Sequence, residues 1–225
     1  MVFSSPNVNI IKKNNLYELT IYNFSPNSNF WKNTLKFLNI KKKNIQKNKT
    51  IITFEAKNIE TLENLLKIKK NMLSYRHSEL MFLFVGEQFR ALEKDNLNIL
   101  FFDIKDFVII NNDSKRYNSV FLFLNTFKFY PVKDSMVEIN KPFLKKNKFL
   151  SPELINISSI PAKIHKNSSY YSFAKLICHC LEKFNKDLNL EEMKKHIEKI
   201  DKTKLYYALL RCLEEDPTNR FYLYI

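Results

Sequence analysis

Two apolar runs separated by a short charged loop constrain the fold of this chain more than any other feature of its sequence. They lie within residues 98–110, and the loop between them, Asp-Ile-Lys-Asp, occupies residues 103–106. Apolar runs this short and this rich in Ile, Val and Phe predict strands rather than a helix. The sequence therefore predicts a polar platform between two buried strands, carrying the carboxylate of Asp103 and the ammonium group of Lys105.

The composition indicates a soluble globular protein. The chain has 225 residues, 45% of them hydrophobic, with 20 Phe and 11 Tyr, and this length suits one large domain or two small lobes. The longest uncharged apolar run, at residues 80–85, is too short to span a bilayer, and residues 1–6 do not resemble a secretion signal. Three cysteines without a paired spacing indicate reduced thiols. We therefore expect a cytoplasmic, intracellular protein without a membrane partner.

The net charge of +14 raises the question of an anionic partner such as nucleic acid. Genome composition offers a competing explanation, because residues with AT-rich codons (Lys, Asn, Ile and Phe) are abundant and Gly occurs once. The lysines at residues 41–43 lie among asparagines, as in solvated loops. We favour the compositional explanation, which points to a large DNA virus or another AT-rich genome. A viral source would place the protein in the host cytoplasm or the virion.

Hydrophobic patterns along the chain predict an α+β fold. The patterns predict strands at residues 16–24, 49–56 and 119–124. They predict helices at residues 29–40, 58–66, 73–94, 151–153 onward, 169–181, 189 onward and 203–215. Residues 126–150 show no periodicity and are predicted to form a loop. Gly86 falls inside the longest helix, where a glycine costs about 1 kcal/mol against alanine. A close neighbour crossing the helix there would explain it. Cys178, His179 and Cys180 share one helix but point in different directions, so we expect core packing rather than a metal site.

The order of these elements resembles the C-terminal lobe of the eukaryotic protein kinase fold. Residues 101–105, Phe-Phe-Asp-Ile-Lys, are similar to the catalytic-loop pattern His-Arg-Asp-Leu-Lys. The resemblance implies that Asp103 stands for the carboxylate that accepts the substrate hydroxyl proton. It implies that Lys105 stands for the lysine near the transferred phosphate. From the residues themselves, we favour a structural role for Asp103, which would hold its loop by accepting backbone N–H bonds, with Lys105 as its partner.

A second pair of residues carries the resemblance further. Ser-Pro-Glu at residues 151–153 is similar to the Ala-Pro-Glu motif that ends the kinase activation segment. In that family the glutamate pairs with an arginine near the end of the lobe, and Glu153 and Arg220 stand in those places. The resemblance implies a reduced N-terminal lobe at residues 1–57, with a few strands and one helix. It implies a mainly helical C-terminal lobe at residues 58–225.

The residues that hold nucleotide and metal in kinases are missing from this sequence. A Gly-rich phosphate loop needs several glycines, and this chain has one. The predicted helix at residues 29–40 has no acidic residue to pair with a phosphate-binding lysine. Val108 stands where kinases have a magnesium-binding Asn. Asn125 takes the Asp position of the Asp-Phe-Gly motif, and its amide brings no charge to Mg²⁺.

These departures predict a catalytically impaired kinase-like protein, a pseudokinase that acts as a protein-binding or scaffolding module. Asp103 and Lys105 are then vestigial, Glu153 and Arg220 form a structural ion pair, and neither cofactor nor metal is expected. Two alternatives stay open. One is a residual or unconventional serine/threonine kinase that uses ATP and magnesium weakly through Asp103, Lys105 and Asn125. The other is a basic nucleic-acid-associated protein. Whether the chain is an enzyme stays open, with the non-enzymatic interpretation favoured.

Overall fold

The computed structural model describes residues 1–23, 25, 28–70, 72–113, 117–184 and 188–225. These residues form a mixed α+β fold with three antiparallel sheets and seven α-helices. The α+β class predicted from the sequence is therefore confirmed. Within the described ranges, no helix is long and apolar enough to cross a bilayer.

Five strands near the N-terminus form one antiparallel sheet. They are β1 (Phe3–Ser5), β2 (Val8–Lys13), β3 (Leu16–Tyr22), β4 (Asn39–Ile45) and β5 (Lys49–Glu55), in the order β1-β2-β3-β5-β4. Helix α1 (Asn29–Leu35) follows β3 in the chain and precedes β4. Alternate residues of β3, namely Tyr17, Leu19 and Ile21, are buried, because successive side chains of a strand point to opposite faces.

The structure corrects two predictions in this region. The helix predicted at residues 29–40 ends at Leu35, and Asn39 begins β4. Lysines 41–43 lie on this strand rather than in a loop. All seven residues of β4 are exposed, so the strand has no alternation of apolar and polar residues for a pattern to detect.

The middle of the chain forms a second, three-stranded sheet beside two helices. Its elements are β6 (Asn58–Thr61), α2 (Leu62–Ile68), α3 (Tyr75–Lys94), β7 (Leu97–Ile99), β8 (Phe107–Asn111) and β9 (Ser119–Phe123), with β6, β8 and β9 in one sheet. Asn58 was predicted to cap a helix, and that prediction is wrong. Asn58 begins β6, and the Oγ1 of Thr61 caps α2 by accepting the backbone N–H of Asn64 at 3.3 Å.

Residues 126–150 contain a hairpin where the sequence predicted a long loop. β10 (Phe129–Lys133) pairs with β11 (Met136–Ile139), and β12 (Ala162–His165) and β7 complete a four-stranded sheet in the order β12-β11-β10-β7. Asp134 and Ser135 form the turn with φ of 51° and 61°. The hairpin strands are only five and four residues long, which is too short for a clear period.

Four helices complete the described chain: α4 (Pro152–Ile155), α5 (Ser168–Leu181), α6 (Leu190–Ile197) and α7 (Lys204–Cys212). All 14 residues of α5 are buried, as its all-round apolar pattern predicted. The capping arrangement predicted for α6 is also present. The Asn189 side chain accepts the Glu192 N–H at 2.9 Å, and the Glu192 side chain accepts the Asn189 N–H at 3.0 Å.

A continuous hydrophobic core joins the first sheet to the helices that follow. Phe30 of α1 lies edge-on against Phe129 of β10, with ring centroids 4.8 Å apart. The buried Gln88 of α3 donates to the Thr34 hydroxyl at 3.0 Å and to the Phe123 carbonyl at 3.1 Å. Its carbonyl oxygen accepts the Phe123 N–H at 2.8 Å. The boundary predicted near residue 57 is thus bridged by packing and by buried hydrogen bonds.

Gly86 lies where another part of the chain crosses α3, as predicted. A Cβ placed on Gly86 would come within 2.5 Å of the Tyr222 hydroxyl oxygen. The Tyr222 ring stacks on Phe82 with centroids 4.4 Å apart, and its hydroxyl donates to the Phe82 carbonyl. Glycine is required here because the tyrosine ring occupies the space of a side chain.

Candidate functional site

The charged loop at residues 103–106 lies between β7 and β8, the two strands predicted around it, and forms one 3₁₀ turn (Ile104–Asp106). Asp103 Oδ1 accepts the Lys105 N–H at 3.0 Å, and Asp106 Oδ2 accepts the Asp103 N–H at 2.9 Å. Both carboxylates therefore hold the loop by binding backbone N–H groups. The Lys105 side chain is exposed. The contacts of Asp103 agree with the structural role that we favoured for it.

Asp106, which the sequence did not single out, is the residue with the most polar side-chain contacts in this loop. Asp106 is 5% exposed, whereas Asp103 is half-buried. Asp106 Oδ1 accepts from the Asn125 amide at 2.8 Å, and Oδ2 accepts from the Lys128 ammonium at 2.5 Å. No local pattern distinguishes Asp106 from Asp103, because each of these carboxylates adjoins an apolar run. The buried negative charge of Asp106 is neutralised by Lys128 within the protein.

The two positions that the kinase resemblance assigns to metal ligands have other contacts. Val108 is fully buried in β8, opposite Leu122 of β9. Asn125 turns its amide nitrogen toward Asp106, and its Oδ1 is buried without a hydrogen-bond partner among the residues that the structure describes. Across the described ranges, no group of three or more His, Cys, Asp or Glu side chains is placed to hold a metal ion.

The two phenylalanines before Asp103 anchor the charged loop in separate apolar clusters. Phe102 is fully buried and lies 5.6 Å from Phe173 of α5 between ring centroids. Phe101 belongs to a smaller cluster and lies 4.8 Å from Phe143. The Asn147 amide donates to the Phe102 carbonyl at 2.8 Å, so the segment before α4 is tied to the same loop.

Glu153 and Arg220 are brought together across 67 residues of sequence. The guanidinium Nη1 donates to Glu153 Oε2 at 2.9 Å and Nη2 donates to Oε1 at 2.7 Å, which is the bidentate geometry that arginine favours. Arg220 is 1% exposed and also donates to the carbonyls of Glu214 and Glu215, at 2.6 and 2.7 Å. These four hydrogen bonds of the Arg220 guanidinium group hold α4 against the segment after α7.

The pKa of Glu153 is set by two opposing effects. Burial would raise it, but the hydrogen bonds and positive charge of Arg220 outweigh burial and lower it below the ordinary value of a glutamate. The hydroxyl group of Ser151 acts in the same direction as Arg220. Glu153 is therefore held as a carboxylate in the folded protein.

Cys178, His179 and Cys180 lie in the core. Both cysteines are fully buried, and burial raises the pKa of each thiol to about 12. His179 Nδ1 accepts the backbone N–H of Phe184 at 3.3 Å. The core packing predicted for these cysteines is confirmed.

An open cavity of about 1210 Å³ lies away from the charged loop, between the end of α1, β5, α3 and β9. Phe37 and Phe84 meet edge-on in its wall with ring centroids 4.9 Å apart. Lys36 and Glu87, which form an ion pair at 3.2 Å, also line it. The cavity therefore combines apolar and charged walls.

Comparison with known proteins found that no protein-family model matches the chain and that no curated protein sequence matches it significantly.

Proposed function

We propose that this chain is a protein kinase-like protein that does not transfer phosphate and that acts by binding another protein. The element order supports a kinase-like fold. A five-stranded antiparallel sheet with one helix between its third and fourth strands precedes the long helix α3. The charged loop, the β8–β9 hairpin, the Ser-Pro-Glu turn and the buried α5 then follow in the order expected. The bidentate Glu153–Arg220 pair supports the same assignment.

The observation that carries the non-catalytic part of the proposal is the ion pair between Asp106 and Lys128. Kinases neutralise the charge that develops on the transferred phosphoryl group with metal ions held by Asp and Asn side chains. Here the buried carboxylate beside Asp103 already has an ammonium group 2.5 Å away. A metal ion bound at Asp106 would have to displace that ammonium group and would then meet the N–H₂ of Asn125 rather than an oxygen.

The first sheet supports the proposal independently. Kinases place the phosphate-binding lysine on the third strand and its glutamate partner on the helix that follows. Strand β3 contains no lysine, and α1 contains no acidic residue. The inward side chains of β3 are Tyr17, Leu19 and Ile21, each buried in the core. Each missing charge contact is worth several kcal/mol of transition-state stabilisation.

Protein binding is the function that we assign in place of catalysis. Phe127, the third residue of the segment 125–127 that stands in place of the Asp-Phe-Gly motif, is 70% exposed, so an aromatic side chain of the kind enriched at interfaces is accessible beside the charged loop. This role needs neither ATP nor magnesium. A cytoplasmic location, in the host cytoplasm or the virion if the source is viral, belongs to the same proposal.

A phosphotransfer assay tests the proposal against the residual-kinase alternative. The purified chain is incubated with labelled ATP and Mg²⁺ or Mn²⁺, alone and with a mixture of Ser/Thr acceptor peptides, beside the Asp103→Ala variant. We expect no transfer of label above that of Asp103→Ala. Transfer that the wild type performs and Asp103→Ala abolishes would overturn the non-catalytic assignment and establish a serine/threonine kinase.

A nucleic-acid-associated role is the second candidate, and strand β4 favours it. This edge strand exposes all seven residues and carries three consecutive lysines, 41–43. Lysines on an exposed edge also prevent edge-to-edge aggregation, which is the competing explanation. Binding to random oligonucleotides that weakens steeply with salt, and that a Lys41→Gln, Lys42→Gln and Lys43→Gln triple variant loses, would favour this candidate.

A further inference from the structure

Lys148, in the segment between β11 and α4, contacts a buried histidine. Its Nζ lies 2.9 Å from Nε2 of His179 on α5. His179 is 4% exposed, and its ring lies against Phe149 and Phe184 with ring centroids 5.4 and 4.8 Å apart. Lys148 itself is partly exposed. A lysine amine is thus held at the rim of an aromatic pocket, with access to solvent.

The hydrogen bonds of the His179 ring determine whether Lys148 is bound as a neutral amine or as an ammonium ion. His179 Nδ1 faces the Phe184 N–H at 3.3 Å and so must be the unprotonated nitrogen. A neutral imidazole then carries its proton on Nε2, which faces the Lys148 Nζ. An ammonium group has no lone pair to accept that proton, whereas a neutral amine has one. The opposite tautomer would set two N–H groups against each other at Phe184.

The charged groups around the pair mostly favour the same neutral state. Burial lowers the pKa of His179 to about 4, and the positive charge of Lys183 adds to the effect, so the imidazole is neutral at pH 7. Burial also lowers the pKa of Lys148, as does the nearby positive charge of Lys183. The negative charge of Asp103 opposes these effects on Lys148.

Two further neighbours of Lys148 have weak effects. Cys180 would raise the pKa of Lys148 only as a thiolate. With its own pKa near 12, Cys180 stays a neutral thiol at pH 7. The Phe149 ring favours an ammonium group, but its centroid is 5.4 Å from Nζ, near the limit for a cation–π contact.

We propose that Lys148 is a nucleophilic amine that forms an imine with an aldehyde or ketone carrying an anionic group. The carbonyl supplies the electrophile that a neutral amine attacks. The anionic group is expected because the positive charge of the exposed Lys183 lies close enough to act on Lys148. This inference goes beyond the proposed function and does not depend on it.

The covalent step needs no oxidant or reductant. The Nζ lone pair is released from the His179 N–H by rotation of the lysine side chain and forms a bond to the carbonyl carbon. The carbonyl π electrons move to oxygen, and a proton from nitrogen is exchanged through solvent to that oxygen. The resulting hydroxyl group takes a second proton from solvent and leaves as water while the nitrogen lone pair forms the C=N bond, and the nitrogen returns its remaining proton to solvent, which leaves the neutral imine. His179 acts here as a positioning residue that keeps the amine unprotonated.

Trapping with pyridoxal 5′-phosphate tests the proposal. The full chain is incubated with this aldehyde and sodium cyanoborohydride, whose hydride reduces the imine to a stable amine, and peptides are mapped by mass spectrometry from pH 6 to 9. Lys163, which is exposed on β12, is the matched control, because accessibility alone would favour it. We expect more label at Lys148 than at Lys163 at pH 7, with the difference narrowing as pH rises.

Two variants and a second aldehyde extend the trapping test. Lys148→Arg should lose the dominant labelled peptide. His179→Gln should lose the preference for position 148, because an amide oxygen accepts from an ammonium group and so favours the charged lysine. Equal or weaker labelling of Lys148 than of Lys163 at pH 7 in the wild type would overturn the proposal whatever the variants do. Equal labelling by uncharged benzaldehyde would overturn the preference for an anionic carbonyl compound.

Discussion

Replacing Glu153 with alanine tests the contact on which the kinase-like assignment most depends. The change removes the carboxylate that pairs with Arg220, whose side chain is fully buried. Removing one partner of a buried ion pair costs about 3–5 kcal/mol, because the other charge stays in the core without compensation. Arg220 keeps its bonds to two backbone carbonyls, so we expect the lower end, about 3 kcal/mol.

Urea unfolding measures this loss directly. The single tryptophan, Trp31, is buried and reports unfolding by fluorescence, and the free energy of unfolding is extrapolated to water. Glu153→Gln keeps a hydrogen-bond acceptor but not the charge, and should cost about 1–2 kcal/mol. Lys194→Ala breaks an exposed pair with Glu191 and should cost less than about 1 kcal/mol. Equal effects of Glu153→Ala and Lys194→Ala would refute the reasoning.

The remaining predictions use the same unfolding assay. The interactions that lower the pKa of Glu153 stabilise the fold at pH values above the pKa of a glutamate in the unfolded chain, about 4.3. This stabilisation is lost as the pH falls through the pKa of Glu153 in the folded protein. The gap in unfolding free energy between wild type and Glu153→Gln should therefore shrink from pH 7 to pH 3, and a constant gap would contradict this. Asp106→Ala should cost about 2–3 kcal/mol, because Lys128 loses a charged partner, and Asp103→Ala less than about 1 kcal/mol. The reverse order would make Asp103 the more important carboxylate. Gly86→Ala should cost about 1–3 kcal/mol, because the new methyl group overlaps Tyr222. A stabilised variant would show that the ring moves freely.

The sequence predicts those parts of the fold in which a single strong pattern meets no competing one. Helix α5 is apolar on every side and is buried throughout, and the glycine in α3 correctly signals a close crossing. Strand β4 escaped detection because its position is set by pairing with β5 rather than by burial. The sequence did not predict the β10–β11 hairpin, because its strands are short and their outer partners, β7 and β12, are distant in sequence.

The candidate site shows the same division between local and long-range information. The charged loop and the pairing of Glu153 with Arg220 follow from motifs that can be read along the chain. The dominant role of Asp106 does not, because it depends on Lys128 and Asn125 approaching from the segment after β9. The resemblance to a kinase catalytic loop singled out Asp103. Asp106, however, is the more buried carboxylate and therefore the one that requires hydrogen-bonding and charged partners.

Nucleotide binding tests the central claim most directly. The melting temperature of the wild-type chain is measured with and without millimolar ATP and Mg²⁺, since a ligand that binds only the folded state stabilises it by RT ln(1 + [L]/Kd), about 2.7 kcal/mol at one hundred times Kd. We expect no shift in the melting temperature, because the Lys128 ammonium group already neutralises Asp106. In addition, β3 has no lysine and α1 has no acidic residue to form the phosphate-binding pair. A clear upward shift that requires both ATP and Mg²⁺ would contradict it.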